Sequence, residues 1–327
     1  MKKTLSVTLS ALLGIGMVNA ASLNLDLDHI TVSGLSSGGY MANQFHLAHS
    51  DWVNGAAIIS AGPYGCARND ITIALAECVD KTSEDTNLDA LNEQAANLAK
   101  NGKIPALDNL SGDKVWLLHG TRDTRIAAGV TDMLARQYQG WVGEQNMQYI
   151  ANKPFAHVYP TKQSGDNCQS SQSPFIGNCD YDAAGESLQF LYGELNPPAT
   201  ELSGDIITLN QHKVAGSDAD TLAETGYAYV PQSCADGEKC RVHVSFHGCN
   251  QYADAVGTAY VEQTGINQWA DTNQLVVVYP QTRKSLFMPL NPQGCWDWWG
   301  YTNKHYATTK GPQIKAVEAI VRSLNTQ

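Results

Sequence analysis

Gly34-Leu35-Ser36-Ser37-Gly38 decides how this chain is read. Ahead of it runs His29-Ile30-Thr31-Val32-Ser33, apolar and β-branched at the positions a strand favours. Behind it runs Gly39-Tyr40-Met41-Ala42-Asn43-Gln44-Phe45, which suits a helix. Strand, sharp turn and helix form the setting in which a G-x-S-x-G pentapeptide lifts its serine clear of a sheet. The two outer glycines allow a strained backbone and a close approach of helix to strand. Ser36 is therefore the candidate nucleophile. The amide of Ser37, directly after it at a helix N-terminus, is a candidate donor to a developing oxyanion.

Outward from this turn, short apolar runs alternate with amphipathic stretches, the pattern of an α/β fold. Strands are expected at 29–35, 53–60, 114–119, 227–231, 241–247 and 275–279. Helices are expected at 39–49, 88–100, 127–141, 181–195, 260–271 and 313–324. In the last helix Ile314, Val317, Ile320, Val321 and Leu324 fall on one face. Segments 61–80, 160–179 and 281–296 read as long loops, and such loops often form functional rims. No repeat or low-complexity linker divides the chain, so 21–327 is expected to be one domain.

A serine hydroxyl needs an imidazole to take its proton and a carboxylate to fix that imidazole's tautomer. On α/β-hydrolase folds these partners follow in the order acid, then histidine. Lys114-Val115-Trp116-Leu117-Leu118-His119-Gly120 reads as a buried strand, and Asp123 lies just past its end, on the rim where parallel sheets gather reactive groups. The competing reading of Asp123 is a turn residue capping the next helix. His157, in Pro154-Phe155-Ala156-His157-Val158-Tyr159-Pro160, is the first histidine after it. His29 and His243 fall in strands, His46 and His49 on a helix, and His119 before the acid, so His157 is the candidate base.

The second oxyanion donor comes late. Val242-His243-Val244-Ser245-Phe246-His247-Gly248-Cys249 is a strand ending in His-Gly, which would bring the Cys249 amide beside the nucleophile. On the usual hydrolase order that strand precedes the serine, whereas here too few residues stand before Ser36. The expectation is a circularly permuted α/β-hydrolase: a central, mostly parallel sheet flanked by helices, with the second half of the chain supplying the first half of the sheet.

Lys2-Lys3, an apolar run from Leu5 to Val18 and small residues at Val18 and Ala20 have the order of a secretory leader, so 1–20 is expected to be cleaved and the protein secreted. The formal charge of −11 argues against nucleic acid or anionic membrane as partner. No other segment is long and apolar enough to insert in a membrane. Eight cysteines in an exported chain point to disulfides, and neighbours in sequence are expected to pair: Cys66–Cys78, Cys168–Cys179, Cys234–Cys240 and Cys249–Cys295. A metal site is the rival, but no C-x-x-C pair occurs. No cofactor is needed for the chemistry, and a monomer is expected.

Taken together, Gly34-Leu35-Ser36-Ser37-Gly38, His119-Gly120-Thr121-Arg122-Asp123, Ala156-His157, His247-Gly248-Cys249-Asn250-Gln251 and Gly294-Cys295-Trp296-Asp297-Trp298-Trp299-Gly300-Tyr301 resemble the catalytic domain of extracellular poly(3-hydroxybutyrate) depolymerases of the permuted type, with the lipase box near the N-terminus. The resemblance runs through nearly the whole chain after the leader. It implies a Ser36–Asp123–His157 triad, oxyanion donors at Ser37 and Cys249, and a substrate crevice bordered by Trp296, Trp298 and Trp299, with at least one of the three given to the core. Many such enzymes continue into a linker and a polymer-adsorbing domain, which this sequence lacks. Amorphous polymer, oligomers or soluble esters are thus the expected substrates. Two rival readings remain at this point: a feruloyl or acetylxylan esterase, and a non-catalytic secreted binding protein on a hydrolase scaffold.

Overall fold

A computed structural model describes residues 22–80 and 86–325; the expected leader, 1–20, lies outside the described residues. The strands in chain order are β1 (Leu25–Leu35), β2 (Val53–Ile59), β3 (Lys114–Gly120), β4 (Met147–Lys153), β5 (Tyr159–Thr161), β6 (Asp166–Asn167), β7 (Ile176–Asn178), β8 (Asp205–Asn210), β9 (Thr225–Val230), β10 (Cys240–Phe246) and β11 (Leu275–Tyr279). Eight of them form one sheet in the order β4-β3-β2-β1-β10-β11-β9-β8, and β5, β7 and β6 form a small second sheet. In the large sheet only β9 runs against its neighbours. The fold is the mostly parallel α/β sheet expected from the sequence.

The strand order shows how the two halves of the chain share this sheet. β1 to β4 build one side and β8 to β11 the other. They meet where β1 pairs with β10, in register from Ile30 opposite Val242 to Gly34 opposite Phe246. Thus the first strand of the chain is central, as a permuted order requires. The two ends of the described chain are in contact. The amide of Leu23 donates to the Leu324 carbonyl at 3.1 Å, and the Ser22 hydroxyl donates to the Asn325 carbonyl at 3.0 Å.

Alternation along the strands gives each face its own core. Val32, Ile58, Leu117, Val244 and Val278 pack against the helices Ser37–Ala48, Ala128–Val142 and Pro312–Ser323. Leu35, Ile59, Trp116, Val277 and Tyr279 pack on the other face, with the helix Ala183–Tyr192. Two strands of the large sheet, β4 and β8, were not foreseen; they lie at its edges and are largely solvent-facing, so neither carries an apolar run, and the short strands β5, β6 and β7 arise within or beside a segment expected as a loop. The helix expected over 260–271 is broken into Ala259–Gln263 and Ile266–Asp271, because Gly265 adopts a left-handed conformation between them. No helix among the described residues is long and apolar enough to cross a membrane. Four disulfides join Cys66 to Cys78, Cys168 to Cys179, Cys234 to Cys240 and Cys249 to Cys295.

A polar seam crosses the junction of the two halves. His243 on β10 is hydrogen-bonded through Nδ1 to Thr31 at 2.7 Å and through Nε2 to Ser33 at 2.8 Å, both on β1. Burial pushes His243 down to about 3, and His49 and His247 down to about 4, although a neighbouring carboxylate and a carbonyl respectively oppose the last two. These three stay neutral when folded, whereas the unfolded chain protonates them near pH 6.5. Their contribution to stability is present above pH 6.5 and lost as the pH falls towards 4, at about 1.4 kcal/mol per pH unit each. Buried Asp297, pushed up to about 6, acts in the opposite sense between there and its ordinary 3.8. Three against one, the melting temperature should fall between pH 6.5 and 4, and His243→Gln should flatten that fall. A thermal-melt series showing no decline would contradict this assignment.

Candidate active site

The turn at Ser36 is held from both sides. Ser36 sits at φ 58°, ψ −122° between the end of β1 and the helix Ser37–Ala48, a conformation a non-glycine residue adopts only under constraint. Its amide donates to the Ile59 carbonyl of β2 at 2.9 Å, and its carbonyl accepts from the Tyr40 amide at 3.0 Å. A Cβ at Gly34 would lie 2.2 Å from the Gly38 carbonyl oxygen. One at Gly38 would lie 2.1 Å from the carbonyl oxygen of Phe246 and 2.5 Å from that of His247. The motif's glycines are therefore required by backbone approach, and Gly38 presses the turn against the end of β10.

Asp123 stands in the turn after β3. Its amide donates to the Gly120 carbonyl at 3.0 Å, and its Oδ1 accepts from the amides of Arg125 and Ile126 at 2.8 and 3.0 Å. The capping geometry and the acid geometry thus coexist in one side chain. Its Oδ2 lies 2.7 Å from Nδ1 of His157. Burial pushes this carboxyl up, but the His157 hydrogen bond and charge, with the Ile126 amide and the Ser60 hydroxyl, hold it down at about 2. It is ionised at any working pH. An ionised carboxylate there accepts a hydrogen bond from the Nδ1–H of His157, which leaves Nε2 as the ring nitrogen available to act as a base.

His157 belongs to a braced loop. Its amide donates to the Ser171 hydroxyl at 2.9 Å, the Ala156 amide donates to the Cys168 carbonyl at 2.9 Å, and Cys168 is tied to Cys179. The small sheet of β5, β6 and β7 begins two residues later. Ser36 and His157 line the same cavity, of about 750 Å³.

The loop after β10 reaches that cavity from the other half of the chain. A Cβ built on Gly248 would lie 3.5 Å from the Ser36 Cβ, so the loop rests directly on the serine turn. Gly248 donates its amide to the Gln251 side chain at 2.7 Å, and Gln251 in turn donates to the Pro174 carbonyl at 2.8 Å. His247 gives its Nδ1 proton to the Gly248 carbonyl at 2.7 Å and accepts the Thr282 amide at Nε2. Cys249 is anchored to Cys295. Among the described residues, the amides of Ser37 and Cys249 have no protein acceptor, and both residues line the cavity.

The walls are apolar. Trp298 stacks on Tyr40 with ring centroids 4.8 Å apart, and Trp299 meets Trp298 edge-on at 5.5 Å. Both line the cavity. Trp296, expected beside them, does not. It is fully buried and packs edge-on against Phe246 at 5.0 Å, so it supports the end of β10 from within the core. Three tryptophans in four residues carry no periodicity that would tell these roles apart.

Sequence reading also missed much of the wall. Ile71 and Leu75, on the short helix Ile71–Leu75, and Met288 and Leu290, on the loop after β11, line the cavity. These walls come from segments 61–80 and 281–296, expected to be rim-forming loops, but no pattern within them singled out these residues. Around the mouth the loop leaves Leu286 67%, Phe287 84% and Met288 87% exposed, a concentration of large apolar side chains in water.

No family model matches the chain. Among characterised proteins it is 38% identical over 320 residues to a poly(3-hydroxybutyrate) depolymerase of Delftia acidovorans, covering 95% of this chain but 63% of that relative. It is 35% identical over 331 residues to a polyhydroxybutyrate depolymerase of Talaromyces funiculosus, covering 95% of each. Among solved structures, a PHB depolymerase from Penicillium funiculosum superposes with a TM-score of 0.87 at 34% identity, over 94% of this chain and 98% of that one. A PHB depolymerase complexed with an R3HB trimer superposes equally well, at 33% identity.

Proposed function

Because the chain belongs to the poly(3-hydroxybutyrate) depolymerase family, we propose that it is a serine carboxylic-ester hydrolase that cleaves poly(3-hydroxybutyrate) and its oligomers through an acyl-enzyme. The observation that carries this is that Ser36, His157 held by Asp123, and the two residues with free amides, Ser37 and Cys249, line one apolar-walled cavity. His157 takes the Ser36 proton as the hydroxyl oxygen attacks the ester carbonyl. The tetrahedral oxyanion accepts hydrogen bonds from the Ser37 and Cys249 amides, each such donor contributing about 3 kcal/mol in enzymes of this type. The alcohol leaves with the proton from His157, and water attacks the acyl-enzyme by the same route. Trp298 and Trp299 form the wall that receives the chain beyond the scissile ester.

The relatives named above are polyester depolymerases, and neither a feruloyl or acetylxylan esterase nor a non-catalytic binding protein is favoured. Four disulfides fit an oxidising compartment, and the enzyme acts as a monomer outside the cytoplasm. The test is release of 3-hydroxybutyrate from a polymer suspension, beside ferulate and acetate release from xylan. Failure on the polymer with release from xylan would overturn the reading.

The exposed tip next to the crevice supports contact with a solid, apolar substrate. Leu286 and Phe287 stand outside the cavity, so exchanging both for serine should leave hydrolysis of a soluble p-nitrophenyl ester unchanged. Burying side chains of this size is worth about 1.5–3 kcal/mol each, so clearing of the suspension should slow by about tenfold or more. Equal rates on both substrates would show that the tip does not meet the polymer.

A further inference from the structure

Asp297 lies directly before the two tryptophans of the crevice wall, and its side chain is spent entirely on their turn. Oδ1 accepts from the amides of Gly300 at 2.7 Å and Tyr301 at 2.9 Å. Oδ2 accepts from the Thr302 amide at 2.9 Å and from the Thr302 hydroxyl. The residue is 1% exposed, so the protein supplies every donor and water none. Residues 298 and 299 are the part of this turn that bridges the carboxylate and its donors. Trp298 and Trp299 are therefore displayed on a loop closed from behind by one buried acceptor.

The same turn is also fitted closely to a second part of the cavity lining. Gly300 sits at φ 91°, and a Cβ there would fall 2.1 Å from Oδ1 of Asn69. Asn69 stands two residues before Ile71, and all three line the cavity. The turn that carries Trp298 and Trp299 is thus packed directly against the segment that leads to Ile71.

The geometry points to Asp297 as the positioning residue that fixes the Trp298–Trp299 wall and thereby selects for 3-hydroxybutyrate oligomers over short acyl esters. The inference rests on the depolymerase reading above. Asp297 touches no reacting atom; it acts through the two rings.

Ties that do not use the carboxylate hold the surrounding backbone. The Asp297 amide donates to the Gln313 side chain at 2.8 Å, and its carbonyl accepts from Gln44 at 2.9 Å. Tyr301 donates its hydroxyl to the Cys295 carbonyl at 2.9 Å, and Cys295 is bound to Cys249. Removing the carboxylate should free residues 298–300 while these anchors keep the loop's ends in place.

The test compares a 3-hydroxybutyrate trimer with p-nitrophenyl acetate on wild type, Asp297→Ala and Thr302→Val. Asp297→Ala should raise the trimer KM by about tenfold, with kcat on the acetate ester within about twofold. Tryptophan emission should shift with greater quencher access, because Trp298 and Trp299 lose their fixed seat. Thr302→Val removes one donor of four and should move the trimer KM the same way by less. An unchanged trimer KM in either variant would overturn the inference, as would equal losses of kcat on both esters. If Asp297→Ala does not fold, Thr302→Val decides alone. Wild type that cleaves the acetate ester but not the trimer would instead remove the depolymerase reading, and this inference with it.

Discussion

Replacing Ser36 with alanine is expected to lower ester hydrolysis by about 10⁴–10⁶-fold, because a serine and its imidazole act as one unit and the loss of either removes nearly the whole effect. The fold should survive. The strained conformation at φ 58° is imposed by hydrogen bonds of the Ser36 backbone to Ile59 and Tyr40, and alanine keeps both. Thermal melting should therefore barely change while fluorophosphonate labelling disappears. Asp123→Asn should cost about 10⁴-fold, since an amide facing Nδ1 stabilises the wrong imidazole tautomer. Its Oδ1 contacts to Arg125 and Ile126 can persist in that variant, so stability and activity separate. A Ser36→Ala protein that still hydrolyses esters at the wild-type rate would end the triad assignment.

Gly38→Ala should damage both stability and rate. The added carbon would enter within 2.1 Å of the Phe246 carbonyl oxygen and 2.5 Å of that of His247, and both neighbours are backbone with no rotamer to escape into. Either the helix start moves away from β10 or β10 moves away from the turn. Such overpacking costs about 3 kcal/mol or more. Any shift of the 247–249 loop also carries the Cys249 amide off target, which alone is worth about 10²–10³ in kcat. Gly140 is the matched control: it lies in the helix Ala128–Val142 with nothing within 4 Å of an added Cβ, so Gly140→Ala should stabilise by about 0.5–1 kcal/mol and leave kcat alone. Thermal melts and kcat on one soluble ester distinguish the two, and a harmless Gly38→Ala would refute the close approach.

What could be read from the residues follows from where each element sits. β1, β2, β3, β10 and β11 are buried, so their apolar, β-branched runs stood out, and with them the turn at Ser36 and the acid after β3. The edge strands β4 and β8 face water on much of their length and left no such trace. The 2.7 Å contact of His157 with Asp123 is braced by the Cys168–Cys179 link, which the cysteine spacing suggested, and by a small sheet that no local pattern announces. The crevice walls were the least legible part. Ile71 and Leu75 sit on a helix of barely more than one turn, and Met288 and Leu290 on a loop, so their apolar side chains follow no period a reader of the sequence could use. For the same reason the division of labour among Trp296, Trp298 and Trp299 needed coordinates: one ring faces Phe246 and the others face the cavity.

The pairing of β1 with β10 has a bearing on how the polypeptide is made. Translation delivers the Ser36 turn first, yet the strand beside it is encoded some two hundred residues later. Until residues 240–249 have left the ribosome, the nascent chain carries the Ser36 turn without the loop that rests on it, and a central strand with one open edge. The cavity at Ser36 is therefore closed only when the last third of the polypeptide arrives.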